Sequence, residues 1–136
     1  MKNIICVLII AILLFSCKKE ETMLNEMFTP TLHDTLVAQG SFSSNDHTTS
    51  GAVKLYSKNG VKTIVFEGFK TDSGPDLRVY LSKTTNKADF VEIGTLNATS
   101  GNFNYLVANS VNTTAYKYIL IWCEDFSVLF GNALLQ

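Results

Sequence analysis

Histidine, cysteine, proline and tryptophan are all scarce in this chain of 136 residues, which holds two, three, two and one of them. Of the two histidines only His47 falls inside the expected folded body, so no zinc or blue-copper pattern can be assembled: such sites need at least three protein ligands. Basic residues do not outnumber acidic ones, 11 against 12, and no Lys/Arg cluster follows Lys18-Lys19. The electrostatic footprint of a nucleic-acid binder is therefore missing. The longest apolar run, Ile4 to Phe15, is too short for a spanning helix, which takes roughly 20 residues. Glycine-rich phosphate loop, nucleophile elbow and HExxH motif are absent. The adjacent carboxylates Glu20-Glu21 and Glu124-Asp125 fall in a tether and a turn, not in the facing pair a glycosidase uses. No cofactor motif is visible, so the cofactor stays open.

What is present begins at the N-terminus. MKNIICVLIIAILLFSC joins a basic start, an apolar run and a small residue before a cysteine, which is the build of a secretory signal. Leu14-Phe15-Ser16-Cys17 looks like a bacterial lipobox, in which cleavage before Cys17 is followed by acylation of its sulfur and new amine. The alternative is an ordinary secretory signal with Cys17 used elsewhere. The lipobox reading implies a chain anchored to the membrane lipid of a bacterial cell envelope, at the outer membrane. Lys18-Lys19-Glu20-Glu21 resembles the short charged stretches that send some bacterial lipoproteins to the cell surface. Residues 1–16 then form the signal, 17–34 a polar tether with Pro30, and 35–136 one domain. A short helical turn of Met23, Leu24, Met27 and Phe28 against the domain is the other reading of the tether. With Cys6 lost and Cys17 acylated, Cys123 is the sole remaining thiol, and no internal disulfide can form.

Past Asp34, short runs rich in Val, Ile, Phe, Tyr and Thr alternate with clusters of Gly, Asn, Asp and Ser, which is all-β punctuation. In AVKLYSKNGVKTIVF, Val53 and Leu55 alternate with Lys54 and Tyr56, and Asn59-Gly60 supplies the positive φ values of a hairpin turn. Further strands are expected over Leu36 to Phe42, Asp76 to Ser82, Phe90 to Leu96, Phe103 to Val107, Tyr116 to Cys123 and Phe126 to Leu135, with Glu124-Asp125 turning before the last. Seven or eight such strands with short connections predict an all-β, antiparallel sandwich or barrel-like domain. Tyr118 to Trp122 is apolar on both faces, so both faces should be covered. Alternation puts Cys123 on the side of Ile119 and Ile121, and Trp122 opposite with Leu120 and Tyr118.

The segments GSFSSNDHTTSG (40–51), FEGF (66–69), GPDLRVYLS (74–82), IGTLNATSGNFNYLV (93–107) and ILIWCEDFSVLFGNALL (119–135) together resemble the DM-thirteen domain. This electron-transfer family occurs beside DOMON domains in animal proteins and alone in bacterial lipoproteins. The resemblance implies a β-sandwich-like domain and a redox-active cysteine at Cys123. Ala108 departs from the family pattern, which has a proline there.

The residues around Cys123 argue the other way. A reactive cysteine wants a thiolate held by a cation, a helix N-terminus or a metal, but Glu124 and Asp125 follow at once and the neighbouring isoleucines imply low polarity. A small buried hydrophobe at the end of a core strand is the plain alternative. His47 is the sole partner base the domain offers; otherwise it is one member of a hydroxyl-rich turn satisfied by Asp46, Thr48 and Ser50. Asp76 either bonds backbone in a Gly-Pro-Asp turn or presents a carboxylate at a rim beside Arg78. Trp122 and Tyr118 are aromatic neighbours of the thiol, and Phe103 with Tyr105 is read as sheet packing. Two functions follow: a membrane-tethered redox domain using Cys123 with an unknown redox or protein partner, or a non-catalytic binding module in which the thiol is packing.

Overall fold

The structure is a computed structural model that describes residues 27–136. The signal segment and Cys17 lie outside the described residues. Eight strands follow in order: β1 (Thr35–Ser44), β2 (Thr49–Lys58), β3 (Val61–Thr71), β4 (Leu77–Ser82), β5 (Phe90–Thr95), β6 (Ser100–Val107), β7 (Tyr118–Cys123) and β8 (Val128–Leu134). Every pairing is antiparallel, and the strands form one sheet in the order β5-β4-β7-β8-β1-β2-β3-β6. Among the described residues there is no helix. The expected all-β fold is thus realised as a single sheet curled into a nearly closed barrel, which leaves β5 and β6 as facing edges.

Period-two alternation explains the curl. Val53 and Leu55 of β2, Ile64 and Phe66 of β3, Leu77, Val79 and Leu81 of β4, Phe103, Tyr105 and Val107 of β6, and Ile119, Ile121 and Cys123 of β7 all enter one buried cluster. One face of the sheet therefore carries a continuous apolar surface, and rolling that face inward removes it from water at roughly 25 cal/mol per Å² of apolar area. In β3 the register slips between Phe66 and Phe69, with Gly68 at φ 54°. This bulge resets the alternation so that Phe66 and Phe69, three residues apart, both point inward. With Phe42, Phe103 and Tyr105 they build an aromatic cluster whose ring centroids lie 4.9 to 6.0 Å apart.

The seam between β5 and β6 is held by a side chain. The Tyr105 hydroxyl donates to the Thr95 carbonyl at 3.0 Å and accepts from the Asn97 N–H at 2.8 Å. Burial pushes the Tyr105 pKa up to about 12, against the opposing pull of the Asn97 N–H, so the hydroxyl stays a donor across the physiological range.

Strands β4 and β7 are buried on both faces. Tyr80, Ser82 and Leu120 point away from the barrel interior yet are sequestered from solvent. Residues Lys83 to Asp89, between β4 and β5, start and end at one point: Lys83 N–H donates to the Asp89 carbonyl at 3.0 Å, as does Ser82 Oγ at 3.0 Å. This excursion brings Lys87 over the outer face of β4 and β7. The double coverage expected for Tyr118 to Trp122 is met at Leu120, which is fully buried, while Tyr118 and Trp122 stay partly exposed; over Tyr80 and Trp122 the cover is Lys87 of the connecting segment.

The Asn59-Gly60 hairpin forms as the sequence indicates, with Lys58 opposite Val61 and φ values of 49° and 82°. The final hairpin differs from expectation at its start. Phe126 belongs to a four-residue turn, Glu124 to Ser127, with Ser127 at φ 52°, and its side chain is 67% exposed. Left-handed backbone at Ser127 delays the strand to Val128. Within the segment before β1, the Phe28 N–H donates to Asn104 Oδ1 at 2.9 Å, and the Phe28 ring lies 5.5 Å from that of Tyr56.

Two glycines separate conformational from steric cost. A Cβ at Gly60 would meet nothing within 4 Å, so Gly60→Val should cost about 1 kcal/mol or more purely through left-handed backbone. At Gly131 a Cβ would lie 2.4 Å from Thr49 Cβ. Gly131→Ala should therefore cost about 1–3 kcal/mol by pushing Thr49 off its 2.9 Å hydroxyl contact with Thr71. Denaturation midpoints check both; an unchanged midpoint for Gly60→Val would refute the strained-turn account.

Candidate functional site around Cys123 and Trp122

Strand β7 runs beside β4 with Leu77 opposite Cys123, Arg78 opposite Trp122 and Tyr80 opposite Leu120. On its other side Cys123 faces Val128 of β8. Cys123 is a free thiol with no exposed surface, and it belongs to the apolar cluster of the barrel interior, as the alternation of β7 requires. The next residue leaves the barrel: the Glu124 N–H donates to the Asp76 carbonyl at 2.9 Å, and the turn follows. The sulfur thus sits one residue from solvent-accessible chain.

Trp122, on the outer face, sits in a different environment. The Lys87 ammonium lies 4.8 Å from the Tyr80 ring centroid, 4.9 Å from that of Phe90 and 5.0 Å from that of Trp122. Each distance is within cation–π range. Glu124 Oε1 accepts hydrogen bonds from both Lys87 Nζ and the Tyr80 hydroxyl. Those two donors, Lys87 first, hold the Glu124 carboxyl below its ordinary range. Burial, with the carboxylate beside it, pushes the Tyr80 hydroxyl up. Lys87 is only 16% exposed, and its backbone is left-handed, φ 56°. Trp122 Nε1 is buried without a hydrogen-bond partner.

Asp76 and Arg78 meet as an ion pair. Arg78 Nε donates to Asp76 Oδ1 at 2.5 Å and its NH2 to Oδ2 at 3.2 Å, while NH1 reaches Glu92 at 2.8 Å. Hydrogen bonds to Asp76 and then Glu92 hold the guanidinium firmly charged. The Asp76 carboxylate is thereby engaged within the chain, in addition to its carbonyl's role in anchoring Glu124. His47 is stacked on Phe130 at 3.8 Å between centroids, and its Nδ1 is 3.2 Å from Asp72 Oδ2. Its partner is thus a carboxylate of the β3–β4 connection, and Ser44 takes over the turn: its hydroxyl exchanges bonds with the Thr49 backbone. Asp46, Thr48 and Ser50 were the expected partners. The structure brings Trp122, Asp76 and Cys123 to one end of the β4–β7 pair, with His47 at a separate stacking contact. Among the described residues no group of three metal-ligating side chains occurs.

Sequence reasoning missed Tyr80, Lys87 and Phe90. Lys87 and Glu124 are 37 residues apart, and nothing periodic links a loop lysine to a strand it covers. The one signal was Trp122 on the outward side of a strand too apolar to be half-solvated.

Fold and site together define an all-β barrel domain with a lone interior thiol and an aromatic cluster directly outside it. The chain belongs to the electron transfer DM13 family, whose model matches residues 41–135. No curated protein and no solved structure matches it.

The Glu124 contacts have a pH signature. A carboxylate whose pKa is lowered on folding contributes stability above the unfolded-state value of about 4.3, and that contribution is lost as pH falls through the folded-state value. Glu124→Gln should be less stable than the parent at pH 7 by about 1 kcal/mol, kept small by solvent screening at this partly exposed group. The gap should narrow as pH falls below about 4. Urea midpoints across pH check this, and a gap that widens in acid would contradict it.

Proposed function

We propose that this domain is a lipid-tethered, extracytoplasmic electron-transfer module that uses Cys123 as its redox group. The observation that carries the reading is membership of an electron-transfer family across 41–135, with Cys123 as the only thiol of that segment. Its position supports the role. Cys123 is the last residue of β7 and adjoins the Glu124–Ser127 turn, so opening that turn exposes the sulfur without unfolding the barrel. A hydroperoxide then transfers its distal oxygen to the sulfur. The S–O bond forms as the O–O bond breaks, sulfur loses two electrons, and the thiol proton leaves with the product alcohol, giving a sulfenic acid. A partner thiol condenses with the sulfenic acid to a mixed disulfide, releasing water, and a second partner thiol attacks the partner's sulfur in that disulfide, restoring the Cys123 thiol and leaving the partner as a disulfide.

One observation favours a second reading. Complete burial in an apolar cluster is what a packing cysteine shows, and the tethered domain would then be a binding module. The distinguishing experiment treats the folded soluble domain with limiting hydroperoxide and reads intact mass, alongside thiol labelling across pH. Under the redox reading, sulfenic acid or a disulfide-linked dimer forms in the folded state, and Cys123→Ser folds while giving neither. Absence of any oxidised species, with no labelling before unfolding, would end it. Under the packing reading Cys123→Ala costs about 1 kcal/mol for its small void, and Cys123→Ser costs more because a buried hydroxyl lacks a partner.

The tether is checked separately. Cys17→Ala should abolish lipid labelling and leave a soluble or an uncleaved protein without a lipid, because acylation needs that sulfur. Unchanged fractionation and labelling would refute the lipid anchor.

A further inference from the structure

We propose that Tyr80, Phe90, Trp122 and Glu124 form a binding site for alkylammonium groups, and that Lys87 is its built-in occupant, withdrawn when a ligand cation enters. The proposal is independent of Cys123, which lies on the other face of β7.

The chemistry is read from what holds Lys87. A surface lysine that only pairs with a carboxylate needs no aromatic walls, yet three ring centroids lie between 4.8 and 5.0 Å from this ammonium. Three rings around one cation, with a carboxylate as counter-charge, is the arrangement that recognises alkylated ammonium ligands, because the electron-rich faces attract the charge while the rings pack on its carbons. Glu124 is oriented by Tyr80, whose hydroxyl shares its Oε1 with the ammonium. Removing the lysine would therefore leave a charged, pre-positioned acceptor behind three apolar walls.

Two independent observations separate a replaceable occupant from a permanent strut. Lys87 holds its ammonium from a left-handed backbone, φ 56°, a conformation a non-glycine residue leaves with a gain. It belongs to an excursion tied to the barrel, apart from the contacts of Lys87 itself, at its ends, by the bonds to the Asp89 carbonyl and the 2.6 Å Lys83–Asp89 pair; within it Asn86 Oδ1 accepts from Thr84 Oγ1 and the Ala88 N–H, and residues 84–86 and 88 are exposed. Withdrawal thus leaves the barrel ladders intact. Meanwhile the indole N–H of Trp122 is buried and unpartnered, an unused donor that its own lysine cannot satisfy. Choline, whether free or as a lipid headgroup, carries such an alkylated ammonium.

Trp122 is the only tryptophan, so its emission reports this site alone. Lys87→Ala and Lys87→Gln are titrated with choline and, in parallel, with phosphatidylcholine vesicles; Lys87→Gln covers the case in which the alanine variant folds poorly. The expected result is a saturable change in Trp122 emission, with a rise in thermal midpoint on addition of choline. Wild type should bind about tenfold more weakly, because a tethered competitor acts at an effective concentration of order millimolar. Phe90→Ala in the Lys87→Ala background should weaken binding about threefold or more. A response to choline assigns a free ammonium ligand, and a response to vesicles alone assigns a headgroup. No saturable response in either Lys87 variant, or equal affinity in wild type, Lys87→Ala and the Phe90→Ala double variant, would overturn the proposal.

Discussion

The two-residue alternation of β7, paired on both sides by β4 and β8, is the constraint on which this end of the molecule depends. Side chains at odd positions, Ile119, Ile121 and Cys123, enter the barrel, and those at even positions, Leu120 and Trp122, leave it. One register therefore sets a thiol and an indole back to back across a single backbone. A slip of one residue would exchange the two environments. The slip is blocked because Leu77, Val79 and Leu81 of β4 must face the same interior.

Burying the outer face of β4 and β7 brings an electrostatic problem that the Lys83–Asp89 excursion both creates and resolves. A mostly buried ammonium is costly unless its charge is met. Here the carboxylate of Glu124 and three ring faces meet it, and Tyr80 donates to the same oxygen. The chain turns at Glu124 immediately after Cys123, so this network also closes the strand end behind which the thiol is buried. Glu124 therefore links the outer aromatic cluster to the strand end that holds the buried thiol. Asp76 joins them, since its carbonyl holds the Glu124 N–H while its carboxylate is taken by Arg78.

Closure of the barrel relies on fewer bonds than its strands do. Seven ladders join the eight strands, but the β5–β6 seam is spanned through the Tyr105 hydroxyl and the packing beneath it. Edge strands invite pairing with other chains. Here each edge faces the other, and the Phe66–Phe69 bulge carries two aromatic rings into the space below β6.

Local chemistry was enough to read much of the fold. Alternating apolar residues, the Asn59-Gly60 turn and the doubly apolar β7 are short-range signals, because pleat and turn geometry act over a few residues; so is the inward position of Cys123, counted from Ile119. The same reasoning could not choose between a sandwich and one curled sheet. That depends on strand order, and the pairings β4–β7 and β3–β6 join segments distant in sequence. The surroundings of the candidate residues were equally out of reach. His47 found Phe130 and Asp72 instead of its neighbouring hydroxyls, and Trp122 found a lysine from a loop with no periodic signature. Which side chains share a face follows from residue order alone, because each strand's period is local. What covers each face does not, because a cation, three rings and a carboxylate can be selected together only after the sheet has closed and set them within a few ångströms.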